Sequence, residues 1–162
     1  MTIKDELNDI SWEKDGNALL LQTYFTNNDK KLYKLLLMKG VIPKAYRGEF
    51  WYISTGGKRE LVQHPGYYNY LLKQYPKNLS HIDEIGTKEQ IEKDLRRTFP
   101  GEEFFKIDEN LVKLRNILTC YFIRNLSGYT QGCNFIVGRL IEFIEDEEKV
   151  FWTFSQLMEN IL

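Results

Sequence analysis

Apolar side chains recur along this chain at the spacing of helices. The clearest stripe follows Asp108, which supplies a cap: Leu111, Leu114, Ile117, Leu118, Tyr121 and Phe122 fall three or four positions apart. The stretch Asn125-Leu126-Ser127-Gly128 breaks that helix. Beyond the break, Phe135, Ile136, Leu140, Ile141, Phe143 and Ile144 make the next helix nearly apolar except for Arg139 and Glu142, which predicts a central position. Asp146 can cap a last helix with Val150, Phe151, Phe154, Leu157, Met158, Ile161 and Leu162 on its buried side.

Upstream, residues 1–28 read as a leader with one helix that packs on the main body. Asp29 caps a helix over 30–39 carrying Leu32, Leu35 and Leu36, and Gly40 with Pro43 supplies its stop. Pro43 then stands in the first turn of a segment that sends Phe50, Trp51 and Ile53 towards a core and closes at Gly56-Gly57. Tyr67 to Tyr75, with Leu71 and Leu72, is an aromatic stripe closed by Pro76 and belongs to core or interface. Thr87-Lys88-Glu89-Gln90 fits a capping box for a helix that Pro100-Gly101 ends. No stretch alternates apolar and polar residues long enough for a sheet, so residues 29–162 predict an all-α domain with short connections.

Composition removes several function classes. At 162 residues with 43% hydrophobic side chains, including 10 Tyr, 10 Phe and 3 Trp, the chain can bury a core and is not of the disordered type. The 22 basic residues balance 23 acidic ones, which leaves no global field for nucleic acid or anionic lipid. Apolar runs such as Leu35 to Met38 are far below the roughly 20 residues that span a bilayer. Two cysteines, Cys120 and Cys133, make no disulfide framework and point to a reducing cytoplasm. His64 and His81 are remote from both cysteines, so no zinc pattern arises; a phosphate-cradling glycine loop and a Gly-x-Ser-x-Gly elbow are also missing.

Two short stretches hold the candidate chemistry. Asp94 and Arg97 stand at i and i+3 near the end of the helix that precedes Pro100, and Gln131 lies in a glycine-flanked turn, Gly128-Tyr129-Thr130-Gln131-Gly132, that opens the next helix. Taken singly, the first pair is an ordinary surface ion pair worth a few tenths of a kcal/mol, and Gln131 is a side chain that bridges helix ends. Their order along the chain is more informative.

Pro43 with Arg47-Gly48 and Trp51 comes first, then Ile91, Asp94 and Arg97 as I-x-x-D-x-x-R before Thr98-Phe99-Pro100, then Tyr129 and Gln131 within G-Y-x-Q-G-x-N, then Phe151-Trp152. This succession, over residues 40–158, resembles the TBC domain of Rab GTPase-activating proteins. The resemblance implies a two-finger activator for vesicle trafficking: Arg97 and Gln131 enter the nucleotide site of a GTP-bound Rab, where Arg97 neutralises charge on the phosphoryl oxygens and Gln131 positions the attacking water. It also implies that Asp94 holds Arg97, that Tyr129 orients the Gln131 turn, and that Arg47, Trp51 and Ile91 support the fold. The GTP and Mg²⁺ belong to the partner, so the chain needs no cofactor. It would work in the cytoplasm, transiently at membranes carrying the Rab. The rival expectation is a module of the same fold that docks a GTPase or a helical partner without stimulating hydrolysis.

The pattern departs from the family at Gly40-Val41-Ile42-Pro43, one residue longer than usual, and at Cys133, where methionine is common. The turn Asn125–Gly128 is one residue shorter, which could shift Gln131. Domains of the family continue past Phe-Trp with further helices. Residues 29–162 therefore match the N-terminal, finger-bearing part with the second half absent, and a last helix exposing Phe151, Phe154, Leu157 and Ile161 would offer a surface for self-association.

Overall fold

The computed structural model describes residues 44–74, 86–125 and 129–160, together with Asn27 and Ile42. The described residues form seven α-helices and no strand: α1 (Arg47–Ser54), α2 (Gly57–Gln63), α3 (Tyr67–Gln74), α4 (Thr87–Leu95), α5 (Asp108–Asn125), α6 (Cys133–Phe143) and α7 (Glu147–Asn160). Short 3-10 turns stand at Lys44–Tyr46 and Glu103–Lys106. The all-helical expectation holds over these residues. The leader, the helix over 30–39, Gly40, Pro43, Pro76, His81, residues 126–128, Ile161 and Leu162 lie outside them.

Helix α5 behaves as its stripe predicts. Leu114, Ile117, Leu118, Tyr121 and Phe122 are buried, and the helix packs against α3, α4, α6 and α7. Helix α7 begins at its expected cap, where the Asp146 carboxylate accepts the Lys149 N–H at 2.8 Å. Its burial differs from the expected one-sided pattern. Every side chain from Val150 to Gln156 is buried, because α7 runs between α2, α5, α6 and α1. Phe151 and Phe154 are 0% exposed, with rings against Tyr68 and Tyr121, so the exposed surface expected from them does not exist.

The central place expected for α6 goes to α5 and α7 instead. Helix α6 buries one stripe, Cys133, Asn134, Val137, Gly138 and Ile141, while Phe135 is 43% exposed and Arg139 faces solvent. Within the aromatic stripe of α3, Tyr68 and Leu71 are buried, and the Tyr68 hydroxyl donates to Glu147 at the start of α7. Tyr70 is 56% exposed. The capping box at Thr87 is not formed: Gly86, at φ 68°, occupies the cap position, and Thr87 is drawn into the core as the first residue of α4.

Candidate functional site

The stripe Thr87, Ile91, Asp94 and Leu95 fastens α4 to the core, and α4 ends at Leu95. The chain then tightens: the Arg97 N–H donates to the Asp94 carbonyl at 3.0 Å and the Thr98 N–H to the Leu95 carbonyl at 3.2 Å. The Thr98 hydroxyl donates to the same Asp94 carbonyl at 2.8 Å. Arg97 therefore lies in a turn past the helix, and the expected charged fork on one helix face is not there. The Asp94 side chain is buried, 3.4 Å from the Gln90 amide, whereas Arg97 is exposed. Among the described residues the Arg97 guanidinium has no hydrogen-bond or ion-pair partner. Asp94 meets Arg97 through its main chain.

The next residue but one is strained. Phe99 has φ 43°, a left-handed conformation that costs about 1–2 kcal/mol for a residue with a side chain, and a following proline disfavours it further. Packing holds it there. Its ring lies 5.3 Å from those of Phe105 and Phe135, and the Arg139 guanidinium stacks on it at 3.9 Å. Arg139 is fixed in turn by Glu102 and Glu142, and holds the Glu102 carboxyl below the usual carboxylate range. Helix α6 comes this close because of Gly138. A Cβ there would sit 3.1 Å from both Thr98 Cγ2 and Phe99 Cε2.

The second segment, Tyr129 to Gly132, leads into α6. Thr130 and Gln131 are exposed, and Gly132 takes φ 101°, which turns the chain into the helix and favours glycine. Tyr129 is half-buried, with its ring against Phe122 and its hydroxyl 3.4 Å from the Asn134 side-chain oxygen Oδ1. Burial, and then the Asp94 carboxylate, push that hydroxyl well above the ordinary phenol range. Asn134 closes the arrangement by donating to the Thr98 hydroxyl at 2.9 Å. The Arg97 turn and the Gln131 turn are thus joined; the first exposes Arg96 and Arg97 and the second Thr130 and Gln131, and among the described residues neither arginine has a carboxylate attached.

The family model described as the Rab-GTPase-TBC domain matches residues 44–162. The chain belongs to this family. Growth hormone-regulated TBC protein 1 of Xenopus tropicalis is 35% identical over 157 residues, which cover 94% of this chain and 42% of that protein. Growth hormone-regulated TBC protein 1-A of Danio rerio is 37% identical over 133 residues, 80% of this chain and 35% of that one. The crystal structure of the Chlamydomonas flagellar RabGAP TBC domain superposes with a TM-score of 0.74 at 26% identity, covering 99% of this chain and 55% of that one. The chain thus spans less than half the length of these curated relatives.

Other motif positions of this TBC domain stand behind the two turns. Ile91 is buried in the core. The Arg47 guanidinium donates to the Ile42 carbonyl at 2.9 Å and lies over the Phe143 ring, which Trp51 meets edge-on at 5.0 Å. These residues join α1 to the end of α6. An apolar groove of about 440 Å³ opens beside Phe99, with Trp51, Phe135, Leu140 and Leu157 in its walls.

Thr98, Phe99, Gly138 and Arg139 carried no role in the sequence reading, and Asn134 figured only as a letter of the motif. A glycine inside an apolar helix was the available signal, since it marks close approach of another segment. Among the described residues no group of His, Cys, Asp and Glu is arranged to hold a metal ion, and no helix is long and apolar enough to cross a membrane.

Proposed function

We propose that this TBC domain accelerates GTP hydrolysis by a Rab-family GTPase, supplying Arg97 and Gln131 in trans. The observation that carries the reading is the exposed Arg97, without a partner among the described residues, held beside the Gln131 turn by the Asn134–Thr98 bond. An arginine paired with its own carboxylates would have to break those pairs before reaching a partner. Among the described residues Arg97 has none to break.

In this reading the guanidinium donates to the phosphoryl oxygens as charge grows on them, a task suited to a planar cation that stays protonated. Gln131, with one carbonyl and one amide, accepts from the attacking water and keeps it in line with the phosphorus. An arginine given in trans is worth on the order of 10³–10⁵ in rate, or about 4–7 kcal/mol of barrier. The GTP and its Mg²⁺ arrive with the GTPase, so the domain acts as an activator at whichever membrane bears that partner. Exposed Phe135, four residues after Gln131, supplies apolar contact area next to the two turns.

The test is single-turnover GTP hydrolysis by a panel of Rab proteins with wild-type chain, Arg97→Ala and Gln131→Ala. Acceleration that vanishes in both variants is the expected result. A folded wild-type chain that binds a GTP-loaded Rab without accelerating hydrolysis would replace this reading with that of a docking module.

A further inference from the structure

We propose that Asn134 is a positioning residue that locks the Arg97 turn and the Gln131 turn into one register through Thr98. The inference rests on the reading of Arg97 and Gln131 as the acting pair, and adds what keeps them together. Both Asn134 and Thr98 are 1% exposed, so neither can exchange its partner for water.

The direction of each hydrogen bond fixes the arrangement. Thr98 spends its single hydroxyl proton on the Asp94 carbonyl at 2.8 Å, which leaves its oxygen able only to accept. The Asn134 side chain must therefore present its NH₂ group to Thr98, at 2.9 Å, with the same nitrogen 3.4 Å from the Asp94 carbonyl. Its oxygen is then turned to the Tyr129 hydroxyl at 3.4 Å. Tyr129 stands two residues before Gln131, and Thr98 directly follows Arg97. The Asp94 carbonyl that terminates this relay also accepts the Arg97 N–H at 3.0 Å, so the bond shaping the arginine turn shares an atom with the lock.

Among the described residues, Asn134 gives the hydrogen bonds from the second turn to Thr98 and to the Asp94 main-chain carbonyl, and the Asp94 carboxylate beside the Tyr129 hydroxyl is a further polar link between the two segments. The Gly138 contact presses Thr98 and Phe99 against α6 but has no direction of its own. Without Asn134 the two turns would stay near each other and lose their mutual orientation.

The experiment compares binding of the chain to a Rab loaded with GDP and aluminium fluoride, which mimics the transition state, and to the same Rab loaded with a non-hydrolysable GTP analogue. Asn134→Ala and Thr98→Val should each weaken binding to the mimic on the order of 10²-fold, the loss typical of a displaced catalytic group, with binding to the analogue unchanged. Thr98→Ser, which keeps the hydroxyl, should retain wild-type binding to both. Hydrogen exchange supplies the second readout: Asn134→Ala should speed exchange in 96–100, Thr98→Val in 129–132, and neither in α5 or α7. If Asn134→Ala does not fold, the valine and serine pair at Thr98 carries the test.

Wild-type affinity for the mimic in Asn134→Ala and Thr98→Val, alongside a loss in Arg97→Ala, would overturn the lock while leaving the two-finger reading standing. Wild-type affinity in Arg97→Ala as well, or no preference of the wild-type chain for the mimic, would sink the finger reading and this inference with it.

Discussion

The guanidinium carbon of Arg139 lies 3.9 Å from the centre of the Phe99 ring, and that ring belongs to a residue at φ 43° directly before a proline. The strain and the contacts that hold it can be separated by substitution. Phe99→Ala keeps the left-handed backbone and loses the ring, and should cost about 2 kcal/mol, near 4–8 °C in thermal midpoint. Phe99→Gly loses the same ring but relieves the backbone, so it should be more stable than the alanine variant by about 1 kcal/mol. Thermal unfolding of the three proteins decides it, and a glycine variant no better than alanine would mean that the turn is unstrained.

Arg97→Lys keeps the charge and discards the planar set of donors. Because Arg97 is exposed and unpartnered among the described residues, unfolding free energy should stay within about 0.5 kcal/mol of wild type. Stimulated hydrolysis should fall by on the order of 10³ or more. A lysine variant with full activity would remove Arg97 from the mechanism.

Gly138 faces Thr98 Cγ2 and Phe99 Cε2 where a Cβ would lie at 3.1 Å from each, and both neighbours are held from behind by Asn134 and Arg139. Gly138→Val should destabilise by about 1–3 kcal/mol despite removing a flexible residue from a helix. Chemical denaturation measures the loss, and a neutral result would show that the Arg97 turn yields easily.

Asp146→Ala removes the carboxylate that accepts the Lys149 N–H at 2.8 Å at the start of α7. The expected cost is about 1 kcal/mol. Asp146→Asn, which retains a side-chain acceptor, should recover most of it in the same unfolding measurement.

Burial pushes the Cys133 thiol up to about 11 from its ordinary 9.0 and raises the Cys120 thiol as well. A folded-state value above the unfolded one means that the thiol holds its proton longer in the native chain. Its stabilising share is complete below pH 9 and is lost as pH rises towards 11. Unfolding free energy should therefore decline through that interval, and a thiol reagent at neutral pH should label neither cysteine until denaturant is added. Rapid labelling of the native chain would show that the thiols are accessible.

The pattern of side chains predicted α5 and the Asp146 cap because both depend on neighbours within one or two turns. It misplaced Thr87, since the local capping signal lost to burial of that residue and to Gly86 adopting φ 68°. It placed α6 at the centre from apolar content alone, but the helix with more polar residues, α7, takes that place. Packing on four sides by α1, α2, α5 and α6 gives it to α7. Arg97 and Gln131 were visible through their motifs. What joins them was not, because Asn134 and Thr98 are ordinary polar residues whose meeting follows only from the path of the chain between them.

That meeting spans 36 positions of sequence, with all of α5 inside the loop it closes. Closing a loop costs entropy that short-range helical contacts do not repay, so α4, α5 and α6 can each be helical while the two turns are still apart. Assembly of the site is then a late event in folding. A nascent or partly unfolded chain could hold most of its helix content and still lack the proposed GTPase activation, which would make that activity a stricter gauge of a finished fold than circular dichroism.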